Sequence, residues 1–536
     1  PDIKDGLQEY RCVVHVQTPP VSVEAQRLSE SELRCKPTAY NIDEKTKDVS
    51  IEVVWNGVFY VDDPRGTTIQ LYNCSALGDD CGLCLSLNST NPHYGCQWCG
   101  SSCKYNAVCN KPAANSCPKP VILNVSPLAG PLEGGTLVTI SGSNLGSSDN
   151  QIKKITIAGS ECQFIRKDYQ TSKVVVCRTG PMNRNSNGPI ILTISGSSGS
   201  EQKVEWLEHF TYKEVIIDRF QPNEGPVSGG TIITIYGSNL NISNANATVQ
   251  IGNQPCIDIR KTETGHSVSC KTTGVSRPIT FHKLNLTLDA AVKILEMAYN
   301  YRPDPNITKI EPMTIYRLGG RIITVTGENL NVVQQPKMFI SGSGGETSRT
   351  DCTIRDSSLM TCPSPKIKFS ARRRRQVADQ YYFNFIMDDV QHVQRLQDSP
   401  HLKGQVTVVP DPTYLPFKDG IRFYKGDILV LEGRNLNLAC TKEEVKVMIG
   451  NEQCKVESLS EQRLLCHPPD NSPRASHGRS APEVKVIVGF ENFTLGELQY
   501  QKQASPLPTF AITILAVGGG IILFIFVAVV VMYRRR

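Results

Sequence analysis

Pro120-Val-Ile-Leu-Asn-Val-Ser-Pro127 leads into Gly134-Gly135-Thr136, then Leu137-Val-Thr-Ile140, then Gly142-Ser-Asn144-Leu145. The same frame returns with Gly229-Gly230-Thr231, Ile232-Ile-Thr-Ile235 and Gly237-Ser-Asn239-Leu240. It returns again with Gly319-Gly320, Ile322-Ile-Thr-Val325 and Gly327-Glu-Asn329-Leu330. A looser fourth copy has Gly426, Ile428-Leu-Val-Leu431 and Gly433-Arg-Asn435-Leu436. Gly-x-Asn-Leu starts at 142, 237, 327 and 433. A period of roughly ninety to one hundred residues is too long for a solenoid and suits an array of domains.

Each part of the frame has a physical role. The Gly-Gly pair permits positive φ and a tight turn. The alternating β-branched run after it reads as a half-buried strand. Gly-x-Asn-Leu breaks that strand, since Gly and Asn tolerate the left-handed region, and Leu returns to the core. Cysteines follow in pairs: Cys162 and Cys177, Cys256 and Cys270, Cys352 and Cys362, Cys454 and Cys466. Short strands between turn signals predict an all-β sandwich in each copy.

These repeats resemble the IPT/TIG domain, an immunoglobulin-like sandwich. The resemblance implies sandwiches over 119–213, 214–302, 303–409 and 410–502. Residues 1–71 look like a divergent member of the same kind, with Cys12 and Cys35 as a pair. Within them, Val53 to Val61 reads as a hairpin turning at Asn56-Gly57.

Residues 72–118 differ. Cysteines stand at 74, 81, 84, 96, 99, 103, 109 and 117. So short a segment needs staples. Cys81-x-x-Cys84 with Cys96-x-x-Cys99 has the spacing of a zinc site, and four disulfides are the other reading. An even count in a chain with secretory features favours disulfides. Trp98 is the expected core aromatic. The spacing resembles the PSI domain, and that family's connectivity implies Cys74–Cys96, Cys81–Cys117, Cys84–Cys103 and Cys99–Cys109. Cys440 is then left as the free thiol.

The chain has 536 residues and 19 cysteines, which indicate several domains from an oxidising compartment. Asn-x-Ser/Thr sequons at Asn73, Asn88, Asn241, Asn246, Asn285, Asn306 and Asn492 agree, and Asn124 is weakened by Pro127. The net charge is +6, but Arg372 to Arg375 and Arg534 to Arg536 supply seven positive charges. The remaining balance of −1 offers no basic face for nucleic acid. The chain opens on Pro1 without a signal peptide, which reads as a fragment of a membrane protein.

Phe510 to Met532 carries no charge. At 1.5 Å per residue such a helix spans about 34 Å, the thickness of a bilayer. The predicted transmembrane helix covers 509–533. Arg534-Arg-Arg536, at 534–536, starts a cytoplasmic tail and implies a single-pass type I cell-membrane protein. Ala516-x-x-x-Gly520 is a helix-packing motif that implies a homodimer.

The histidines show no ligand spacing, no serine sits in a nucleophile elbow, and Gly225 to Thr231 lacks the P-loop lysine. No catalytic residue, metal ligand or cofactor site is expected. Arg372, Arg373, Arg374 and Arg375 before Gln376 fit the pattern cut by secretory-pathway convertases; a solvated basic loop or a heparan sulfate contact is the plain alternative. No expected disulfide crosses this cut. Strands on both sides, with Tyr382, Asn384 and Ile386 or their alternates in the core, should hold the halves together.

The order sandwich, PSI, four sandwiches and helix resembles the membrane-proximal ectodomain of plexins, and the tail looks most like the B class. The resemblance implies a receptor stalk and anchor in semaphorin signalling, for axon guidance and cell migration. Semaphorin would bind a sema domain before Pro1, and small GTPases a region after Arg536. A receptor tyrosine kinase with sema, PSI and IPT units and a structural adhesion glycoprotein are the competing readings. A DNA-binding IPT protein is opposed by the sequons and the helix.

Overall fold

The computed structural model describes residues 9–29, 31–61, 63, 66–109, 117–196, 200–242, 247–342, 345–367, 380–399, 402, 404–426, 428–475, 480–501 and 509–535. It divides into two compact units. One holds residues 1–223, 232–273 and 280–299; the other holds 224–231, 274–279 and 300–536. The chain is mostly β.

The first unit opens with six strands, Tyr10–Val14, Val21–Arg27, Leu33–Cys35, Thr46–Trp55, Phe59–Tyr60 and Thr68–Tyr72. Cys12 is bonded to Cys35. Asn56 and Gly57 take positive φ (48° and 77°) and turn the chain, so Trp55 lies opposite Phe59.

The cysteine-rich segment follows. Helices Cys74–Leu77 and Cys81–Thr90 pack on the hairpin Cys96–Cys99 and Ser102–Tyr105. Four disulfides join Cys74–Cys96, Cys81–Cys117, Cys84–Cys103 and Cys99–Cys109. Trp98 lies among them in a small core. The cysteines are consumed in bonds, and no metal-binding group of His, Cys, Asp or Glu occurs among the described residues.

The sandwich after it shows how the frame folds. Eight strands run in the order Ala129–Pro131, Glu201–Lys213, Ser186–Ser195, Ile152–Ile157, Ser160–Phe164, Val174–Thr179, Leu137–Ser143, Val121–Ser126. Ser160–Phe164 pairs on both sides and carries the chain from one sheet to the other. Along Leu137–Ser143, Val138 and Ile140 are fully buried while Leu137 stays half exposed, the period-2 pattern of a half-buried strand. Val175, Ile190, Leu192, Phe210 and Tyr212 complete the core. Cys162–Cys177, Cys256–Cys270, Cys352–Cys362 and Cys454–Cys466 are disulfides.

In the second unit, the third sandwich pairs strands from both sides of the segment 368–379. Tyr381–Ile386 runs antiparallel to Lys337–Gly342, and Gln405–Val409 parallel to Thr314–Tyr316. Of the two faces left open by the sequence, the alternate one fills the core. Phe383 and Phe385 are fully buried, while Tyr382 and Ile386 are only partly so. Asn384 is also buried, because it accepts from Leu396 N (2.9 Å) and donates to Ser341 Oγ (2.7 Å).

A 25-residue helix, Thr509–Tyr533, ends the described chain. Side chains are described for its part 521–533 alone, thirteen residues. Among the described residues no helix is long and apolar enough to cross a membrane.

Candidate functional site: the joints between modules

The four repeats share a short strand that lies parallel to the last strand of its sandwich. These strands are Ala129–Pro131, Glu224–Pro226, Thr314–Tyr316 and Ile421–Tyr424. In the first three a tight turn follows: Gly134 N donates to Pro131 O (3.0 Å), Gly229 N to Pro226 O (3.0 Å) and Gly319 N to Tyr316 O (3.3 Å). All six glycines of these pairs have positive φ.

The second glycine of each pair has a further constraint. A Cβ on Gly135 would collide with Ala290, one on Gly230 with Asp389, and one on Gly320 with Gly489 and Phe490. The turn is therefore a seat for a hairpin tip from the following repeat. Within the first unit, Ala290 N donates to Gly134 O (3.2 Å) and Thr136 Oγ1 to Asp289 Oδ2 (2.6 Å). Lys293 adds an ion pair with Glu133 at 2.6 Å. Within the second unit, Asp389 N donates to Gly229 O (3.1 Å) and Thr231 Oγ1 to Asp388 Oδ2 (2.6 Å).

The tip residue has positive φ in every case: Asp289 at 53°, Asp388 at 50° and Gly489 at 57°. Asp tolerates the left-handed region and also presents a carboxylate to the threonine. Gly489 has no carboxylate, and the threonine is replaced by Arg321. That guanidinium donates to both carboxylate oxygens of Glu444, at 3.1 and 3.0 Å. Lys366 pairs with Glu491 at 2.6 Å.

The Gly-x-Asn-Leu loop meets the preceding module. In the first repeat, Gly82 N donates to Asn144 Oδ1 (3.3 Å). Beside it, Asp80 caps the helix by accepting from Leu83 N (2.8 Å). It also accepts from Ser172 Oγ (2.7 Å) and pairs with Lys173 (3.0 Å). Asp80 is buried, which alone would raise its pKa; the bonds from Ser172, Leu83 N and Lys173 outweigh burial and hold it below the ordinary 3.8. In the fourth repeat, Tyr316 Oη donates to Asn435 O (2.7 Å) and Leu436 O (2.9 Å). Tyr316 and Leu318 thereby join the core of the fourth sandwich.

Cys440 lies in this joint, buried and without a disulfide. Its thiol donates to Leu436 O (3.0 Å) and lies 3.7 Å from Tyr316 Oη. Burial pushes the thiol pKa up, against a lowering hydrogen bond from Tyr316.

The sequons differ in setting. Asn73 Nδ2 donates to Ile42 O (2.7 Å), Asn88 Nδ2 to Cys96 O (2.7 Å) and Asn241 Nδ2 to Glu263 O (2.5 Å). Asn285 sits in a central strand with its Oδ1 buried. Asn306 and Asn492 are exposed. Asn246 and the segment Arg372, Arg373, Arg374, Arg375 and Gln376 fall outside the described residues, as do the surroundings of Ala516 and Gly520.

Sequence reasoning found the Gly-Gly turns and missed what they hold. Asp80, Asp289, Asp388, Tyr316 and Arg321 carried no motif. Their only signal was position: Asp80 directly before Cys81, Tyr316 three residues before Gly319, Arg321 directly after Gly320, and Asp289 and Asp388 in turns that follow a strand.

The sandwiches, each with its own disulfide, and the cysteine-rich segment define a modular, disulfide-bonded, mostly β protein. The IPT/TIG domain family matches residues 120–212, 216–301, 305–392 and 420–501, and a TIG domain found in plexin matches 1–72. Plexin-2 of Caenorhabditis elegans is 34% identical over 94% of this chain and 28% of its own length. Plexin-A3 of Homo sapiens is 31% identical over 100% of this chain and 29% of its own. A solved structure of the plexin A4 full extracellular region superposes with a TM-score of 0.59 at 27% identity, covering 92% of this chain and 41% of that one. The chain belongs to the plexin family. It spans less than a third of the length of these two relatives.

Proposed function

We propose that this chain is the membrane-proximal stalk and anchor of a cell-surface semaphorin receptor. The observation that carries the proposal is its similarity to plexins along 94% of its length, together with the terminal helix Thr509–Tyr533. In this reading the helix crosses the bilayer. Twenty-five residues rise about 37 Å, enough to span it. Ile521 to Tyr533 are apolar and exposed all round, as lipid-facing residues are. Arg534 to Arg536 then lie in the cytoplasm.

Semaphorin binds through a sema domain on the N-terminal side of Pro1, and small GTPases through a region beyond Arg536. The stalk passes the binding event to the helix, which pairs with a second copy through Ala516 and Gly520. This coupling serves cell guidance and migration. Family membership sets aside the receptor kinase. The tail Met532-Tyr-Arg-Arg favours the B class, whereas the relatives compared are A-type plexins and Plexin-2, so the proposal stops at the family.

Epitope tags before Pro1 and after Arg536 test the topology in cells. Antibody on intact cells should reach the first tag and not the second. Access to both, or to the second alone, contradicts the anchor. Deleting residues 119–502 from the full-length receptor should abolish the semaphorin response while leaving semaphorin binding. A retained response contradicts the coupling role.

A further inference from the structure

In the first three repeats, the pole made by the short parallel strand and the glycine turn is covered by the next module. Ala290 covers Gly135, Asp389 covers Gly230, and Phe490 covers Gly320. Tyr316 and Leu318, at this pole of the third repeat, are 2% and 8% exposed. The fourth repeat has the same pole. Ile421–Tyr424 is the parallel strand, and Gly426 (φ 95°) stands two residues before Ile428, as Gly320 stands before Ile322. A Cβ on Gly426 would meet no atom of the described residues within 4 Å. Phe423 is 59% exposed and Ile421 42%. Beside them Leu415, Pro416, Phe417 and Ile421 line a cleft of about 390 Å³.

The chain runs from this pole into the terminal helix. Gln501 N donates to Tyr424 O (2.9 Å), so the chain leaves the sandwich at the tip of this strand. Seven residues, 502–508, then precede Thr509. Seven residues fully extended reach at most about 25 Å. The Tyr424 and Tyr500 rings pack at 5.0 Å at the same tip. Both rings pack against the sandwich core and the Tyr500 hydroxyl is buried, so the apolar residues open to a membrane at this tip are Phe423 and Ile421. Lys418, Arg422 and Lys425 flank the apolar residues and suit lipid phosphates; Asp419 and Glu432 are the acidic neighbours.

We infer that this pole of the fourth sandwich rests on the lipid headgroup layer, with Phe423 and Ile421 inserted at its surface. The bilayer takes the place that the next sandwich takes in the other repeats. The inference depends on the helix crossing the membrane, as proposed above.

Fluorescence quenching in phosphatidylcholine nanodiscs tests it. The chain carries Trp55, Trp98 and Trp206, so the signal is the difference between Phe423→Trp and the parent. A headgroup nitroxide should quench the added indole at least twofold. Leu523→Trp reports the helix, through a nitroxide at mid-acyl depth. Quenching at 523 without quenching at 423 overturns the inference and leaves the anchor standing. Loss of quenching at both positions overturns both. An indole at 423 that is shielded from acrylamide yet unquenched by nitroxide identifies a protein cover, such as a second copy, and also overturns it. Phe423→Ser, which adds no bulky probe, should raise hydrogen exchange at 421–424 only in detergent-free nanodiscs if lipid protects the strand; equal rises in nanodiscs and in detergent count against it.

Discussion

The Tyr316 hydroxyl donates to the carbonyl oxygens of Asn435 and Leu436, residues of the next sandwich's Gly-x-Asn-Leu loop, at 2.7 and 2.9 Å. Burial pushes its pKa well above the ordinary 10.0. The phenol therefore remains a donor at all physiological pH values. Tyr316→Phe keeps the ring and removes the donor, so Asn435 O loses this bond and Leu436 O is left with the Cys440 thiol alone. The expected cost is about 1–3 kcal/mol in the unfolding of the fourth sandwich. Its effect should extend to Cys440, whose thiol touches the same hydroxyl. In the parent, Cys440 should react with maleimide at least tenfold more slowly than in denaturant, because burial keeps it protonated and covered. In Tyr316→Phe the native rate should rise. Equal native rates in parent and variant contradict this joint.

Asp80 gives the joint above it an acid limit. Its carboxyl is held below 3.8, and a depressed carboxyl stabilises the fold above its unfolded value. That contribution is lost as pH falls through the folded value. Lys173 is raised above 10.5, despite burial that would lower it, by Asp79 and Asp80; its contribution is lost only as pH rises past that value. Thermal unfolding should therefore be flat for this pair between pH 5 and 9 and fall in acid below about 3.8. Asp80→Asn should lower stability at pH 7 by about 1–3 kcal/mol and flatten the acid limb. An unchanged acid limb contradicts the assignment.

Glycan occupancy should follow the side-chain settings. Asn306 and Asn492 are exposed and should be modified. Asn73 caps a helix through its Oδ1 while its Nδ2 donates to Ile42 O, and Asn88 bonds Cys96 through both side-chain atoms. These two should be largely unoccupied. Peptide mapping after enzymatic deglycosylation reads the difference, and full occupancy at Asn73 or Asn88 contradicts it.

Convertase cleavage after Arg375 should leave one complex of two chains. The six-residue ladder of Tyr381–Ile386 with Lys337–Gly342 and the parallel pair at Thr314–Tyr316 both cross the cut. Phe383, Phe385 and Met387 are fully buried against residues from the other side, such as Ile323, Met338 and Ile340. Burial of three such side chains contributes on the order of 5–9 kcal/mol before entropy. No disulfide links the two sides among the described residues. A denaturing gel without reductant should show two fragments that copurify natively. Fragments lost from each other in native buffer, or no cleavage by convertase, contradict the proposal.

The array of sandwiches was legible because its signals are local. Gly-Gly, the alternating run and Gly-x-Asn-Leu each fix a backbone conformation within a few residues. The seats were not legible, because they join residues far apart in sequence: Thr136 meets Asp289 and Tyr316 meets Leu436. Nothing in Gly134-Gly135 separates a turn that only bends from one that also receives a neighbour. The buried face of Tyr381–Ile386 was ambiguous for a different reason. Aromatic residues fill both faces, and Asn384 is buried by hydrogen bonds that no alternation rule anticipates.

The central claim is that the second glycine of each pair is required by the neighbouring repeat as well as by its own turn. Hydrogen exchange on Gly135→Val and Gly320→Val tests this, with Gly426→Val as the control. All three sites have positive φ, so each valine strains its own turn, but among the described residues only the Gly426 Cβ position meets no neighbouring atom. The account predicts at least tenfold faster exchange at Ala290 in Gly135→Val and at Phe490 in Gly320→Val, with no rise in the neighbouring repeat for the control. Exchange at Ala290 and Phe490 no faster than in the parent would contradict it.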